Sequence, residues 1–382
     1  MTTPELNSWD DLDCDMNLLR GIYAYGFEHP SSIQKRAIPA MLKKTDIIAQ
    51  AQSGTGKTGA FTIGTLGQID TTKKTIQGLI LSPTRELSKQ IFDVLSNIGK
   101  MMKGLRMHLL VGGTSIEEDV NELKKIPHII VGCPGRVNDM LRRKKMNVTN
   151  VTVMVLDEAD EMLSKGFKEQ IYNIFYQLNE DSVQIALFSA TLSTELLDMS
   201  KKLLRDPEKI LVKSEALTLE GIAQYYVLID DERAKYLTLK DLYSSINVSQ
   251  CIIYCNSLHR VIELYDNMRS EGYPVCCLHS NQEREEREMS YRDFKSGKYR
   301  VLISTNITAR GIDIQQVSTV INYDIPKDTH VYLHRIGRSG RWGRKGVGIN
   351  FISNKDIKKL REIEKYYNTQ IEALPESFVT DN

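Results

Sequence analysis

Short apolar runs rich in β-branched residues alternate along this chain with segments of helical spacing, and that rhythm constrains the fold more than any other feature. "DIIAQ" (46–50), "GLILSPT" (78–84), "MHLLVGG" (107–113), "HIIVGCP" (128–134), "VMVLDEAD" (153–160) and "QIALFSAT" (184–191) read as six strands. Helical patterns separate them, as in "RELSKQIFDVLSNIGKMM" after the second. Strands apolar on both faces and alternating with helices build a parallel sheet covered on two sides. The rhythm returns at "CIIYCNS" (251–257), "PVCCLHS" (274–280), "RVLISTN" (300–306), "TVINYDI" (319–325) and "VGINFIS" (347–353). Between the sets, "KSEALTLEG" (213–221) is polar and weakly periodic. The expected fold is therefore α/β, with two mostly parallel sheets bearing helices on both faces. Residues 1–212 form one domain, 213–221 the linker and 222–382 the other. At 382 residues two cores are the default.

Composition narrows the class further. The apolar fraction of 41% and charged fraction of 26% are those of an ordinary globular protein. The net charge is only +1, so there is no global basic field, and a nucleic-acid partner has to be held in a shaped groove. The six cysteines lack paired CxxC spacing and read as small buried hydrophobes in a reducing compartment, not as a zinc site. No apolar run reaches membrane-spanning length, and "MTTPELNSWDD" has no signal-peptide pattern. The chain is expected in solution in the cytoplasm, with the nucleus as the alternative.

The run "VMVLDEADEML" (153–163) ends a buried strand in three acids, Asp157, Glu158 and Asp160. Clustered like charges repel, so stability alone does not account for them. The C-terminal edge of a parallel sheet is where open α/β folds bind ligands. "AQSGTGKT" (51–58), between the first strand and a helix, supplies the reason for a cation there. Small residues Ser53, Gly54, Thr55 and Gly56 let backbone N–H groups surround phosphate oxygens at a helix N-terminus. Lys57 supplies charge to the phosphates, and the Thr58 hydroxyl is a ligand for Mg²⁺. Ala51 stands where the generic phosphate-loop pattern has glycine. Asp157 fits as the second magnesium-holding residue, and Glu158 is placed to orient or deprotonate an attacking water.

Six motifs, "AQSGTGKT", "PTREL" (83–87), "DEAD" (157–160), "SAT" (189–191), "ARGID" (309–313) and "HRIGRSGRWGRKG" (334–346), stand in the order and spacing of the DEAD-box RNA helicases, and the resemblance covers nearly the whole chain. "LLRGIYAYGFEHPSSIQKRAI" (18–38), "ALTLEGI" (216–222) and "VINYDIP" (320–326) resemble the initiation factor 4A branch and its nuclear paralogues. The resemblance implies two RecA-like domains and the cofactors ATP and Mg²⁺. It implies that Phe27 stacks on adenine, that Gln34 reads its edge, and that Ser189 and Thr191 couple hydrolysis to strand separation. The isolated upstream aromatic of the family falls on Trp9, which by itself reads as a core residue. Asp313 resembles the ribose-contacting residue, and Arg338 and Arg341 resemble arginine fingers. Since these lie on the other domain from Lys57, Asp157 and Glu158, ATP and RNA are expected to close a cleft together.

The implied RNA contacts are Pro83, Arg85, Gly112, Gly113, Pro134, Gly135 and Arg136 in the first half, and Asn256, Arg287 and Thr305 in the second. Guanidinium and backbone-approach positions suit sugar–phosphate binding without base readout. A protein that promotes closure is a further implied partner, and the chain is expected to be monomeric. The chain departs from the family pattern at Cys133 (usually Thr), Ser280 and Asn281 (usually Gly and Asp), Arg284 (usually Gln) and Asn306 (usually Asp), which bear on RNA affinity and closure. The leading expectation is local unwinding of short RNA duplexes in translation initiation. An ATP-gated RNA clamp in nuclear mRNA or ribosomal RNA processing is the alternative, and a DNA helicase is disfavoured.

Overall fold

The computed structural model describes residues 5–51, 55–211, 222–229, 231–245, 250–306, 317–337, 339 and 346–375. The chain divides into two compact units, residues 1–216 and 217–382. In the first, β1 (Ile47–Gln50), β2 (Gly78–Leu81), β3 (Met107–Leu110), β4 (Ile129–Gly132), β5 (Val153–Asp157), β6 (Gln184–Ser189) and β7 (Glu208–Leu211) form one sheet in the order β3-β4-β2-β5-β6-β1-β7. Every neighbouring pair is parallel. Apolar clusters cover both faces, with Ile47, Ala49, Val153, Val155, Ala186 and Phe188 on one side and Ile48, Met154, Leu156, Ile185 and Leu187 on the other. Alternate residues of each strand thus reach opposite cores, which is why these runs are apolar throughout.

Helices return the chain across both faces. In Arg85–Ile98, Thr84 caps the N-terminus by accepting from Leu87 N–H at 3.2 Å. Its buried Leu87, Ile91, Leu95 and Ile98 recur at helical spacing and form the core-facing stripe.

The second unit repeats this design. Strands β8 (Ile222–Leu228), β9 (Cys251–Tyr254), β10 (Val275–Leu278), β11 (Val301–Ser304), β12 (Thr319–Asn322), β13 (Gly346–Ile352) and β14 (Glu372–Ala373) are ordered β10-β11-β9-β12-β13-β8-β14, again all parallel. Both units are RecA-like α/β layers.

Three strands go beyond the eleven expected: β7, β8 and β14. They lie at or next to the rim of a sheet, and most of their residues are only partly buried or exposed, so they lack the continuous apolar run that marks the inner strands. The expected runs were also too long at their C-terminal ends. β2, β4 and β5 stop at Leu81, Gly132 and Asp157, where the chain turns away to place side chains over the edge. All six cysteines are free thiols. Among the described residues no helix is long and apolar enough to cross a membrane.

Candidate functional site at the strand ends

Because β6 lies between β5 and β1, the loops leaving these three strands stand side by side. Ala51 N–H donates to Ser189 C=O at 3.1 Å, and Gln50 Nε2 to Ala190 C=O at 3.3 Å, lacing the β1 and β6 ends together. Gly56 caps the helix Lys57–Leu66 with φ +100°, a left-handed conformation that glycine adopts at little cost. Ser53 and Gly54 lie outside the described residues, as do Asp313, Arg338 and Arg341. Thr55, Gly56 and Thr58 are half-buried around the start of that helix.

Lys57 is nearly fully buried, and its Nζ meets Glu158 Oε1 at 3.1 Å. Burial opposes its charge, yet the carboxylates of Glu158, Asp157 and Asp160 outweigh this and hold its pKa above the ordinary lysine value. Glu158 reaches Lys57 because its backbone sits at φ 50°, ψ 50°. That left-handed geometry costs a non-glycine residue about 1–2 kcal/mol and turns the chain sharply off β5. Asp157 Oδ1 accepts from Glu158 N–H at 3.0 Å. Burial, with neighbouring carboxylates, pushes the Asp157 carboxyl up to about 7 despite Lys57.

Asp160, which the sequence reading left without a role, connects this corner to the third strand. Its Oδ2 accepts from Thr191 Oγ1 at 2.7 Å, while Ser189 Oγ donates to Thr191 C=O at 2.7 Å. The "DEAD" and "SAT" segments are thus hydrogen-bonded directly. Among the described residues no group of three or more His, Cys, Asp or Glu side chains could cage a metal ion.

Phe27 and Gln34 pack on the first turn of the phosphate-loop helix. Gln34 Nε2 donates to Gly56 C=O at 3.2 Å, and Gln34 Oε1 accepts from Ser31 N–H at 2.8 Å. Trp9 is fully buried and stacked on Phe27, with ring centroids 6.1 Å apart; its place is in the core. A Cβ at Gly59 would lie 2.6 Å from Gln34 Nε2 and 3.0 Å from the Phe27 ring. Gly59→Ala is therefore expected to cost about 1–3 kcal/mol of stability and to weaken nucleotide binding by displacing both residues. Urea unfolding and ATP titration check this, and an unchanged affinity would separate Phe27 and Gln34 from the nucleotide.

The motifs assigned to RNA occupy the same edge farther along the sheet. Arg85 is exposed, at the start of its helix, with its guanidinium over the Gly112–Gly113 backbone: a Cβ at Gly112 would lie 3.2 Å from Arg85 Nη2. Gly113 has φ +83°. Pro83 is buried. Pro134, Gly135 and Arg136 open the helix Pro134–Arg142, whose cap residue Cys133 makes no side-chain cap hydrogen bond. Arg136 turns inward, donating to Asp119 Oδ2 and, at 2.9 Å, to Thr114 C=O. Asp119 also meets His108 Nε2 at 3.1 Å. The guanidinium of Arg136 is thus committed to a nearly buried ion pair, a tertiary partnership between segments 17 residues apart that no local pattern announces.

In the second unit the ends of β11, β9 and β12 are neighbours, and a fully buried arginine that the motif reading passed over organises them. Arg335 donates to Asn306 Oδ1 and Asn256 Oδ1 at 2.8 Å, to Asp324 C=O at 2.7 Å and to Asn322 Oδ1 at 3.1 Å. It lies 5.2 Å from the Tyr254 ring centroid. Burial lowers its pKa to about 10. Asn256 is held at both ends of its amide, since its Nδ2 also donates to Ile325 C=O at 2.8 Å. Thr305, just past β11, and Arg287, in the helix Arg284–Lys295, are half-buried, while Ser280 and Asn281 are exposed. The side chain of Arg284 lies outside the described residues.

Residues 31–199 match the DEAD/DEAH box helicase model, and residues 234–343 match the helicase conserved C-terminal domain. The chain is 50% identical over 370 residues to the ATP-dependent RNA helicase eIF4A of Chaetomium globosum, covering 97% of this chain and 93% of the relative. It is 51% identical to the eIF4A of Kluyveromyces lactis at the same coverage. Among solved structures, S. cerevisiae Dbp5 bound to RNA and ADP BeF3 superposes with a TM-score of 0.89 at 35% identity, over 98% of this chain and 99% of that one. Mss116p bound to ssRNA and AMP-PNP gives 0.87 at 26% identity, over 99% and 81%.

Proposed function

The chain belongs to the DEAD-box helicases, ATP-dependent RNA helicases of the eIF4A type, and from that premise we propose that it separates short RNA duplexes by ATP-driven closure of its two units during translation initiation. The observation that carries this reading is the buried constellation of Lys57, Asp157, Glu158, Asp160 and Thr191 at the ends of three adjacent strands.

Its chemistry follows from these groups. Backbone N–H groups at Gly56 and the helix behind it receive phosphate oxygens of ATP. Thr58 and Asp157 would hold Mg²⁺, which supplies charge neutralisation at the phosphates. The fit rests on hard oxygen donors and on the Asp157 carboxyl, which burial and the neighbouring carboxylates push up to about 7 and whose charged form a cation would favour. A site with so few protein ligands suits magnesium, which keeps waters and takes substrate phosphates as ligands. The phosphates of ATP compete with Glu158 for Lys57. Glu158, released from that pair, orients and deprotonates the attacking water. Thr191 then reports the state of this corner through Asp160 to the segment after β6, the proposed coupling route. Asp313, Arg338 and Arg341 enter as proposed ribose and γ-phosphate contacts from the second unit.

RNA lies along Arg85, Gly113 and the Pro134–Gly135 helix start in the first unit, and along Asn256, Arg287 and Thr305 in the second. Arg136 and Asn256 are tied inward, which supports a role in shaping these segments for phosphate and sugar contact. The proposed setting is the cytoplasm, with a closure-promoting protein as partner.

Steady-state ATP hydrolysis without nucleic acid, with single-stranded RNA, and with DNA of the same sequence tests the proposal. Stimulation by RNA alone is expected. Equal stimulation by DNA would overturn the RNA assignment, and a slow ATPase with a long-lived RNA complex would favour a clamp over an unwinding enzyme. Gln34→Ala is expected to erode the preference for ATP over GTP. The Gln34 amide keeps one N–H and one acceptor lone pair beyond its contacts with Gly56 and Ser31, enough to read adenine. An unchanged ATP-to-GTP ratio would remove Gln34 from base selection.

A further inference from the structure

The opposite edge of the first sheet, where strands begin, carries a charge pattern that neither the ATP nor the RNA motifs use. The loops leading into β3, β4, β2 and β5 are neighbours there, laced by backbone hydrogen bonds. His128 N–H donates to Arg106 C=O at 2.8 Å, Gln77 N–H to His128 C=O at 2.7 Å, and Thr152 N–H to Gln77 C=O at 2.8 Å. The four segments, 99–106, 121–128, 70–77 and 142–152, contain eleven lysines and arginines and only two acids, Asp70 and Glu122. On a chain of net charge +1 this is strong segregation.

Part of the charge is locally paired. Lys73 faces Asp70 at 3.6 Å, Lys125 faces Glu122 at 2.6 Å, and Arg143 faces Asp139 at 2.9 Å. Exposed Lys74, Lys103, Arg142, Lys144 and Lys145 have no carboxylate within ion-pairing distance among the described residues. Cations near helix C-termini complement the helix dipole, and that accounts for Lys100 and Arg142. It does not account for Lys74, Lys103 or Lys145, which lie in the loops beyond. The pattern is also bounded. The next loop, leading into β6, carries Glu180 and Asp181. Four adjacent strands span about 14 Å, about four phosphates of a helical strand. None of the four segments contains Phe, Tyr or Trp, and His128 is buried, so the edge offers charge to the backbone without an aromatic platform for bases.

We propose that this strand-start edge of the first unit is a second RNA surface, which binds phosphates of a strand or duplex already held at the strand-end motifs. The partner is RNA and not an anionic membrane, since the four loops supply no aromatic or amphipathic helical element with which to enter a bilayer. The four strands between the two edges are four or five residues long, so the edges stand about 13–17 Å apart. An RNA that fills only the motif edge cannot reach the basic one.

The test exchanges Lys74, Lys103, Arg142 and Lys145 together for glutamine in the full chain. Binding of single-stranded RNAs of about 8 and about 40 nucleotides is then compared across a salt series. The long RNA is expected to lose on the order of tenfold in affinity, with the slope of log K against log salt falling by roughly 3. The short RNA and the ATPase it stimulates should be unchanged. Exchanging the same four positions between Lys and Arg should restore the long-RNA affinity. Unchanged affinity and slope for the long RNA would overturn the proposal, as would equal losses for both lengths. Loss of binding to phosphatidylserine vesicles with long-RNA affinity intact would also overturn it. Failure of the short RNA to bind even the unaltered chain would instead count against the strand-end RNA assignment.

Discussion

Replacing Glu158 with glutamine is expected to lower ATP turnover by about a hundred- to ten-thousand-fold while ATP-dependent RNA binding survives. The asymmetry follows from the geometry. The amide would keep the shape and a hydrogen bond to Lys57, whose Nζ stands 3.1 Å from the native carboxylate, but could not accept the proton of the attacking water. Asp157, one residue earlier on the strand end, would keep its charge for the cation, so nucleotide and RNA should still bind together. The variant also removes one of the carboxylates that push the Asp157 carboxyl up to about 7, so metal affinity near neutral pH should not fall. Single-turnover hydrolysis beside RNA binding with and without ATP separates the two effects. Retained turnover would take Glu158 out of the base role, and loss of binding would assign it to nucleotide capture.

Replacing Arg335 with methionine, close in volume but without donors, is expected to destabilise the second unit by about 3–5 kcal/mol. The guanidinium satisfies four oxygens drawn from the ends of three strands, and two of them belong to buried residues, the Asn322 side chain and the Asp324 backbone. The neighbouring Asp324 carboxylate is already engaged with Lys235 at 2.8 Å and Arg260 at 3.0 Å, so Arg335 is held by neutral acceptors and the Tyr254 ring. Removing it would leave the two buried acceptors dry and without their donor, and would free Asn256 and Asn306. Calorimetry should show the second unit's transition moving down with the first unit's transition in place. RNA affinity should fall with it even at temperatures where the unit remains folded. A loss below about 1 kcal/mol would mean that the asparagines find other donors.

Much of this architecture is local in origin and therefore legible in the chain. A strand buried on both faces must be apolar at every position, and a covering helix must be apolar every three to four residues. The alternation of the two periods accordingly announces parallel α/β layers twice over. The phosphate loop and the acids at the end of β5 are legible for a related reason, since small residues before Lys57 and carboxylates after an apolar run each conflict with simple burial. Where burial is partial the signal fades, as it does for β7, β8 and β14.

What no local pattern contains is which loops become neighbours. The strand order sets Gln50, Asp157 and Ser189 in one corner and joins Asp160 to Thr191 across 31 positions. Tertiary contacts turn Arg136, an expected RNA contact, inward onto Asp119 and bury Arg335 among asparagines. They also gather four loops, spread from residue 70 to residue 152, into one basic edge on a chain whose charges nearly cancel. Net charge is a sum and carries no positions, whereas a surface potential depends on distance, and only the fold supplies the distances.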